Sequence, residues 1–219
     1  MGLEIDRDTF SDEEFVHFAA RLRQGLVALD EVLRRPGFGL GPTTIGAELE
    51  LSLVDEAGRA WPHNRAVLDV VAHPRLSVET DRFNLECNTR PVALAGRPFS
   101  ALREDLRDVL EAVAAGAARH GGGIVAIGIL PPLRPSDLAP EALTHSARYR
   151  ALSNGLRRLR RGAFEISIDG PEPLRATCDD VTFEGANTSW QVHLKVAPAD
   201  FARTYNAAQI ATAPVLAVA

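Results

Sequence analysis

A chain of 219 residues with 46% hydrophobic and 24% charged side chains has an ordinary soluble composition, and it is long enough to bury about 70% of its extended surface around one core. Its formal net charge of −5, with 29 Asp and Glu against 24 Lys and Arg, argues against a nucleic-acid partner, which would favour a basic face. Cys87 and Cys178 alone make no disulfide framework and fit a reducing cytoplasm. No apolar run approaches the roughly 20 residues of a membrane span, and the acidic start Met1–Asp8 has neither a signal-peptide core nor, with Asp6, a myristoylation signal.

In chain order, Ser11-Asp-Glu-Glu14 is a capping box ahead of Phe15, Phe18, Leu22, Leu26, Leu29 and Leu33. That spacing predicts an amphipathic packing helix ended by Pro36-Gly37. Thr44–Val54 reads as a strand that sends Ala47, Leu49, Leu51 and Leu53 to a core and Gly46, Glu48, Glu50 and Ser52 to the opposite face. Like charges on alternate residues of one face repel. They belong either to a solvated edge or to a site where a hard cation such as Mg2+ takes both as oxygen ligands. Asp55–Gly58 is a turn, and Trp61–Asn64 a loop leading into a short helix near Arg65–Ala72, with His63 and His73 in solvated loops.

In Leu76–Pro91 a second strand alternates Phe83, Leu85 and Cys87 with Asn84, Glu86 and Asn88. Glu79 differs in parity from Glu86, so both reach one site only across a bend or bulge. A long helix follows Pro98, with Leu102, Leu106, Val109, Leu110 and Val113 on one stripe. Gly121–Gly123 stops it, without the Lys and Ser or Thr of a phosphate loop. Gly123–Leu130 is continuously apolar, as in a strand covered on both faces, and a Pro-rich loop follows from Pro131 to Pro140. Glu141–Arg161 reads as a helix whose basic end, Arg157, Arg158, Arg160 and Arg161, suits the macrodipole. Ala163–Asp169 alternates as a strand with a wet face of Glu165, Ser167 and Asp169. Asn187–Val196 is a third polar-faced strand, with Ser189, Gln191, His193 and Lys195 on one side. An imidazole and an amide joining carboxylates from two other strands point to a divalent-metal site.

The order and spacing of these pieces resemble the glutamate-cysteine ligase family, in its bacterial carboxylate-amine ligase branch. Ile45-Gly-Ala-Glu-Leu-Glu50 is similar to that family's Gly-x-Glu-x-Glu strand. Glu79 followed by Glu86 within Asn84–Pro91, Gln191-Val-His193, and the helix-like Arg203–Leu216 complete the match. The resemblance implies an α+β fold: a curved antiparallel sheet forming part of a glutamine synthetase-like funnel, with helices packed on its outer face. It implies a reaction in which ATP phosphorylates a glutamate side-chain carboxylate that an amine then attacks, with ATP and Mg2+ (or Mn2+) as cofactors. On that resemblance Glu48, Glu50 and Glu86 are metal ligands, and Glu79 is a further ligand or a contact to the substrate amino group. His193 is a metal or phosphate contact, and Gln191 and Asn88 hydrogen-bond substrate or nucleotide. The partners implied are small molecules, namely glutamate or a similar acid with cysteine or another amine. No nucleic acid and no membrane are expected, and a homo-oligomer is left open.

Two departures accompany the resemblance. Related ligases often carry His-x-His where this chain has Gln191-Val-His193, and an amide is the poorer metal ligand. Members of the family also continue past the Ala213-Pro-Val-Leu216 helix into a second half that supplies further strands, another metal carboxylate and substrate-binding arginines. The expectation is a single domain over residues 1–219, the N-terminal half of a longer catalytic domain, inactive alone and with the apolar run Ile210–Ala219 uncovered. The rival readings are a truncated, catalytically inactive fragment or metal- or nucleotide-binding domain, and an unrelated α+β binding domain whose carboxylates are solvated.

Overall fold

The computed structural model describes residues 4–160 and 162–218, so the expectations at Met1–Leu3, Arg161 and Ala219 lie outside it. Its elements are α1 (Asp12–Leu33), β1 (Thr44–Val54), α2 (Asn64–Val71), β2 (Leu76–Val78), β3 (Asn84–Asn88), β4 (Val92–Ala93), α3 (Pro98–Arg119), β5 (Gly123–Val125), α4 (Ala147–Arg160), β6 (Phe164–Ile168), β7 (Leu174–Cys178), β8 (Trp190–Lys195) and α5 (Phe201–Val218). The class is α+β, built on an open antiparallel sheet in which β1 pairs with β3, β4 and β5, and β3 with β2. β8 also pairs with β1, while β6 and β7 form a separate hairpin. Among the described residues no helix is long and apolar enough to cross a membrane.

The backbone divides into two compact units, the first made of Ala47–Arg90 and Arg103–Gln191 with the chain up to Thr9. Its core follows from the alternation in β1 and β3. Leu51, Leu53, Leu85 and Cys87 project from one sheet face onto Val67 of α2 and Leu106, Val109, Val113 and Ala117 of α3. A fully buried Leu or Val contributes about 1.5–3 kcal/mol relative to exposure, so this layer is the main source of the unit's stability. Gly116 lets α2 and α3 approach closely, because a Cβ there would sit 2.3 Å from Val71 Cγ2.

Residues 76–88, where the parity of Glu79 and Glu86 called for a bend or bulge, form a hairpin. β2 pairs with β3 in the register Leu76↔Cys87, Ser77↔Glu86 and Val78↔Leu85, and the chain turns through Thr80–Phe83. Asn64, buried at the start of α2, clamps that turn: the two protons of its Nδ2 are shared among three acceptors, Asp81 O at 3.1 Å, Asn84 O at 3.3 Å and Thr144 Oγ1 at 2.7 Å. The segment before α4 serves the same turn, with Arg82 N donating to Ala142 O at 2.7 Å and Thr144 N to Thr80 O at 2.8 Å. These duties keep residues 141–146 out of the helix expected from Glu141. A 3-10 turn, Pro140–Ala142, comes first, and the α-helix begins only at Ala147.

The apolar run Gly123–Leu130 gives a strand of only three residues. β5 meets just the end of β1, at Ser52–Val54, and the chain then bonds to the loop before β8, where Thr188 N donates to Gly128 O at 2.8 Å. Ile127 and Ile129 are exposed, so the two-sided cover expected for this run is not there.

The second unit comprises Phe10–Gly46, Pro91–Leu102 and Val192–Ala219. The predicted capping box starts α1, with Glu14 N donating to Ser11 Oγ at 3.2 Å and Ser11 N to Glu14 Oε2 at 2.9 Å. The α1 stripe expected to pack leaves Phe18, Leu22, Leu26, Leu29 and Leu33 exposed, and neither α1 nor α5 buries a described residue. β4 pairs with the first residues of β1, Thr44 and Ile45. Lys195 Nζ donates to Leu40 O at 3.0 Å, next to Gly39, where a Cβ would meet Pro198 Cδ at 2.8 Å.

Candidate functional site

The β1–β3 register pairs Glu48 with Asn88, Glu50 with Glu86 and Ser52 with Asn84. Since Leu49, Leu51 and Leu53 face the core, these polar residues line the other side of the sheet. β2 extends the row, because Ser77 lies opposite Glu86. The face is not open solvent: Glu86 is 6% exposed, Asn84 2% and Ser52 1%, while Glu48 and Glu50 are half-buried.

Neutral donors hold the two opposed carboxylates. Glu86 Oε1 accepts from Asn88 Nδ2 at 2.6 Å and from Ser77 Oγ at 3.2 Å. Glu50 Oε2 accepts from Ser189 N at 2.8 Å and Glu50 Oε1 from Gln191 Nε2 at 3.1 Å, while Glu50 N donates to Ser189 O at 3.0 Å. A carboxylate offers about four acceptor positions, so each retains capacity for a cation.

Glu79 joins this face through the hairpin. It follows the last residue of β2 and sits beside Asn84, with its N–H 3.5 Å from Asn84 O. Counted around the turn, Glu79, Ser77, Asn84 and Glu86 share one side, which removes the parity conflict seen along the sequence. Burial raises the Glu79 carboxyl above its ordinary pKa; the Thr80 N–H pulls against that, and the charges of Glu86 and Glu184 reinforce burial.

A pocket beside the row is lined by Glu50, Glu79, Thr80, Asn84, Glu184, Gly185, Asn187 and Thr188. Behind it lies Asp81, fully buried, with no hydrogen-bond partner on either carboxylate oxygen. Burial first, then the charges of Asp180, Glu184 and Glu79, push its pKa up to about 8, so it is mostly protonated at neutral pH. Gly185 packs against it, since a Cβ at that position would be 2.5 Å from Asp81 Cγ.

Of the residues singled out in the sequence, the structure gathers Glu50, Glu79, Glu86, Asn88 and Gln191 on one face, with Glu48 opposite Asn88. His193 lies on β8 within the second unit and is exposed. Among the described residues no three His, Cys, Asp or Glu side chains gather closely enough to hold a metal ion. The opposed pair Glu50 and Glu86 nevertheless has the hard oxygen chemistry that suits Mg2+ or Mn2+. Sequence reasoning passed over Thr80, Asp81, Asn84 as a site group, and Glu184. The signal available was Glu184-Gly185, an acid beside a glycine just upstream of the polar-faced β8.

A family model, that of glutamate-cysteine ligase family 2, matches residues 44–217, from the first residue of β1 to the penultimate residue of α5. Neither a curated protein nor a solved structure matches the chain.

Proposed function

Because this chain belongs to glutamate-cysteine ligase family 2, we propose that it carries out, on small molecules in the cytoplasm, ATP-dependent carboxylate-amine ligation that forms a γ-glutamyl amide through an acyl phosphate. The observation that supports this best is the opposition of Glu50 and Glu86 on a half-buried sheet face inside the matched span.

In such a reaction the side-chain carboxylate oxygen of the acid takes the terminal phosphoryl group of ATP and ADP departs. The amine nitrogen then bonds to the acyl carbon, phosphate leaves and the nitrogen loses a proton. Catalysis of this type is mostly positioning and electrostatic stabilisation. Glu48, Glu50 and Glu86 are assigned to Mg2+ or Mn2+, which would neutralise phosphate charge. Gln191 and His193 are assigned to the nucleotide, Asn88 and Glu79 to the acid substrate. The antiparallel sheet is taken as part of a glutamine synthetase-like funnel.

The test is release of ADP that requires both glutamate and an amine, measured on the 219-residue chain and on a version extended through the family's second half. Release lost on Glu50→Gln supports the reading. ATP binding without turnover by both versions favours the alternative of a nucleotide-binding domain with no ligase activity.

A further inference from the structure

The loop into α2, the turn between β2 and β3, and the segment before α4 enclose another cavity, of about 200 Å³. It lies on the α2 side of the sheet, where Val67 packs onto Leu51 and Leu85, and so away from the face that carries Glu50 and Glu86. The ionisable groups lining it are all basic: Arg65 on α2, Arg82 in the turn, and the imidazoles of His63 and His145. The Arg82 guanidinium meets no carboxylate among the described residues. Its backbone is fixed on both sides, with Arg82 N donating to Ala142 O at 2.7 Å and Asn64 N donating to Arg82 O at 2.9 Å. Only Arg65 has an acidic neighbour, Glu4 at 3.2 Å, and that carboxylate also accepts from Ser146 Oγ at 2.8 Å.

The His63 ring is held in place by stacking on Trp61, with centroids 4.1 Å apart. Its partial burial, and after it the positive charges of Arg82 and His120, keep its pKa below the ordinary value, and no acid opposes them. His63 gives α2 no side-chain cap, so the positive end of that helix dipole adds to the same field. The missing counter-charge has a definite chemistry. A guanidinium presents paired N–H donors that match the oxygens of phosphate or sulfate, and each imidazole adds a donor. A volume of about 200 Å³ is below the roughly 300–1,000 Å³ of pockets that enclose drug-sized ligands, so a tetrahedral oxyanion fits inside and anything larger extends out of the mouth.

We infer that Arg82, His63 and His145 form a binding site for a tetrahedral oxyanion of the phosphate class, either the free ion or the phosphate end of a larger molecule, with Glu4 competing for Arg65 at the rim. The bound ion would tie Arg82 to the start of α2 and brace the Thr80–Phe83 turn, and through it Glu79, from behind. The site stands independently of the ligase reading, because it uses none of the groups on the Glu50–Glu86 face.

The experiment follows the His63 ring by NMR, assigned with His63→Gln, while the chain, Arg82→Gln and Glu4→Gln are titrated with sulfate at an ionic strength fixed by chloride. Arg82 is half-buried and Glu4 exposed, so both variants should fold, and melting curves check that. Wild type should bind sulfate. Arg82→Gln should weaken it at least about tenfold, as expected for loss of a charge-assisted hydrogen bond, and Glu4→Gln, which frees Arg65, should tighten it severalfold. Sulfate stays divalent between about pH 7.5 and 5.5, and an anion beside His63 raises its pKa, so affinity should rise as pH falls through that range. Arg65 and His145 share the pocket with the ring, and Glu4, held below its ordinary pKa first by the Ser146 hydroxyl, stays ionised throughout. Adenosine monophosphate separates the two sources: binding tighter than sulfate and weakened alike by Arg82→Gln assigns the site to the phosphate end of a larger molecule, and binding weaker than sulfate assigns it to the free ion. A His63 ring indifferent to sulfate, or a sulfate affinity unchanged in Arg82→Gln, overturns the site. Nucleotide binding that ignores Arg82→Gln, without sulfate binding, overturns it too and leaves the ligase reading standing.

Discussion

Glu50 and Glu86 stand directly opposite one another across the β1–β3 ladder, both carboxylates held by amide, hydroxyl and peptide N–H donors. Directly opposed like charges destabilise a sheet, and more so as their surroundings dry. The double substitution Glu50→Gln with Glu86→Gln should therefore leave the metal-free chain as stable or more stable. In the wild type, Mg2+ at about a hundredfold excess over its dissociation constant should add roughly 2.7 kcal/mol, a gain absent from the double variant. Thermal melts with and without Mg2+ check this, and a wild type indifferent to the ion removes the pair as a cation site.

Acid should act on the first unit through Asp105, which is 6% exposed and bridges Arg75 and Arg90. Burial alone would raise its pKa, but the Arg90 N–H at 2.8 Å, the Arg90 side chain and the two positive charges outweigh that and hold it below its ordinary value. A depressed folded pKa stabilises above the unfolded value of about 3.9 and is lost as pH falls through the folded one. Asp105→Asn should remove that part of the slope and lower stability by about 1.5–3 kcal/mol at pH 7. Urea unfolding from pH 2 to 7 measures both effects, and identical slopes for variant and wild type defeat the assignment.

Gly116 offers a test in which two effects oppose. Replacing a mid-helix glycine by alanine normally gains about 1 kcal/mol. Here the new Cβ would lie 2.3 Å from Val71 Cγ2, and overpacking costs about 1–3 kcal/mol. Gly116→Ala should be net destabilising in denaturant unfolding; a stabilised variant would mean that α2 and α3 separate easily.

Asn64 couples the core to the site. Asn64→Ala leaves Asp81 O, Asn84 O and Thr144 Oγ1 without that donor, at about 1–3 kcal/mol. Because Asp81 O and Asn84 O belong to the turn that presents Glu79, and Thr144 braces it, amide exchange across residues 79–84 should rise in the variant by more than global destabilisation explains. Exchange mass spectrometry decides it.

The parts legible in the sequence were those that local patterning determines. The alternation of β1, the Ser11 capping box and the apolar stripe of α3 each depend on neighbours a few residues away, and each appears as read. The parity of Glu79 called for a bend, but its form as a hairpin was not legible, because Thr80-Asp-Arg-Phe83 contains no Gly or Pro and is held by Asn64 and the 142–144 segment, distant in sequence. The length of β5 escaped for a related reason: an apolar run does not say which strand it will find or for how long. Glu184 and Asn84 emerge as neighbours only once the loop before β8 closes on the hairpin.

Cys87, at the core of β3, gives the strand that bears Glu86 a built-in clock. Burial, and after it the Glu86 charge, push its thiol pKa up to about 12, so an alkylating reagent at neutral pH meets almost no thiolate until the sheet opens. Cys178 is part-exposed and would react first, which Cys178→Ser removes. In that single-thiol chain the modification rate reads the opening of β3, and any molecule that settles between Glu50 and Glu86 should slow it, whether or not it is ever turned over.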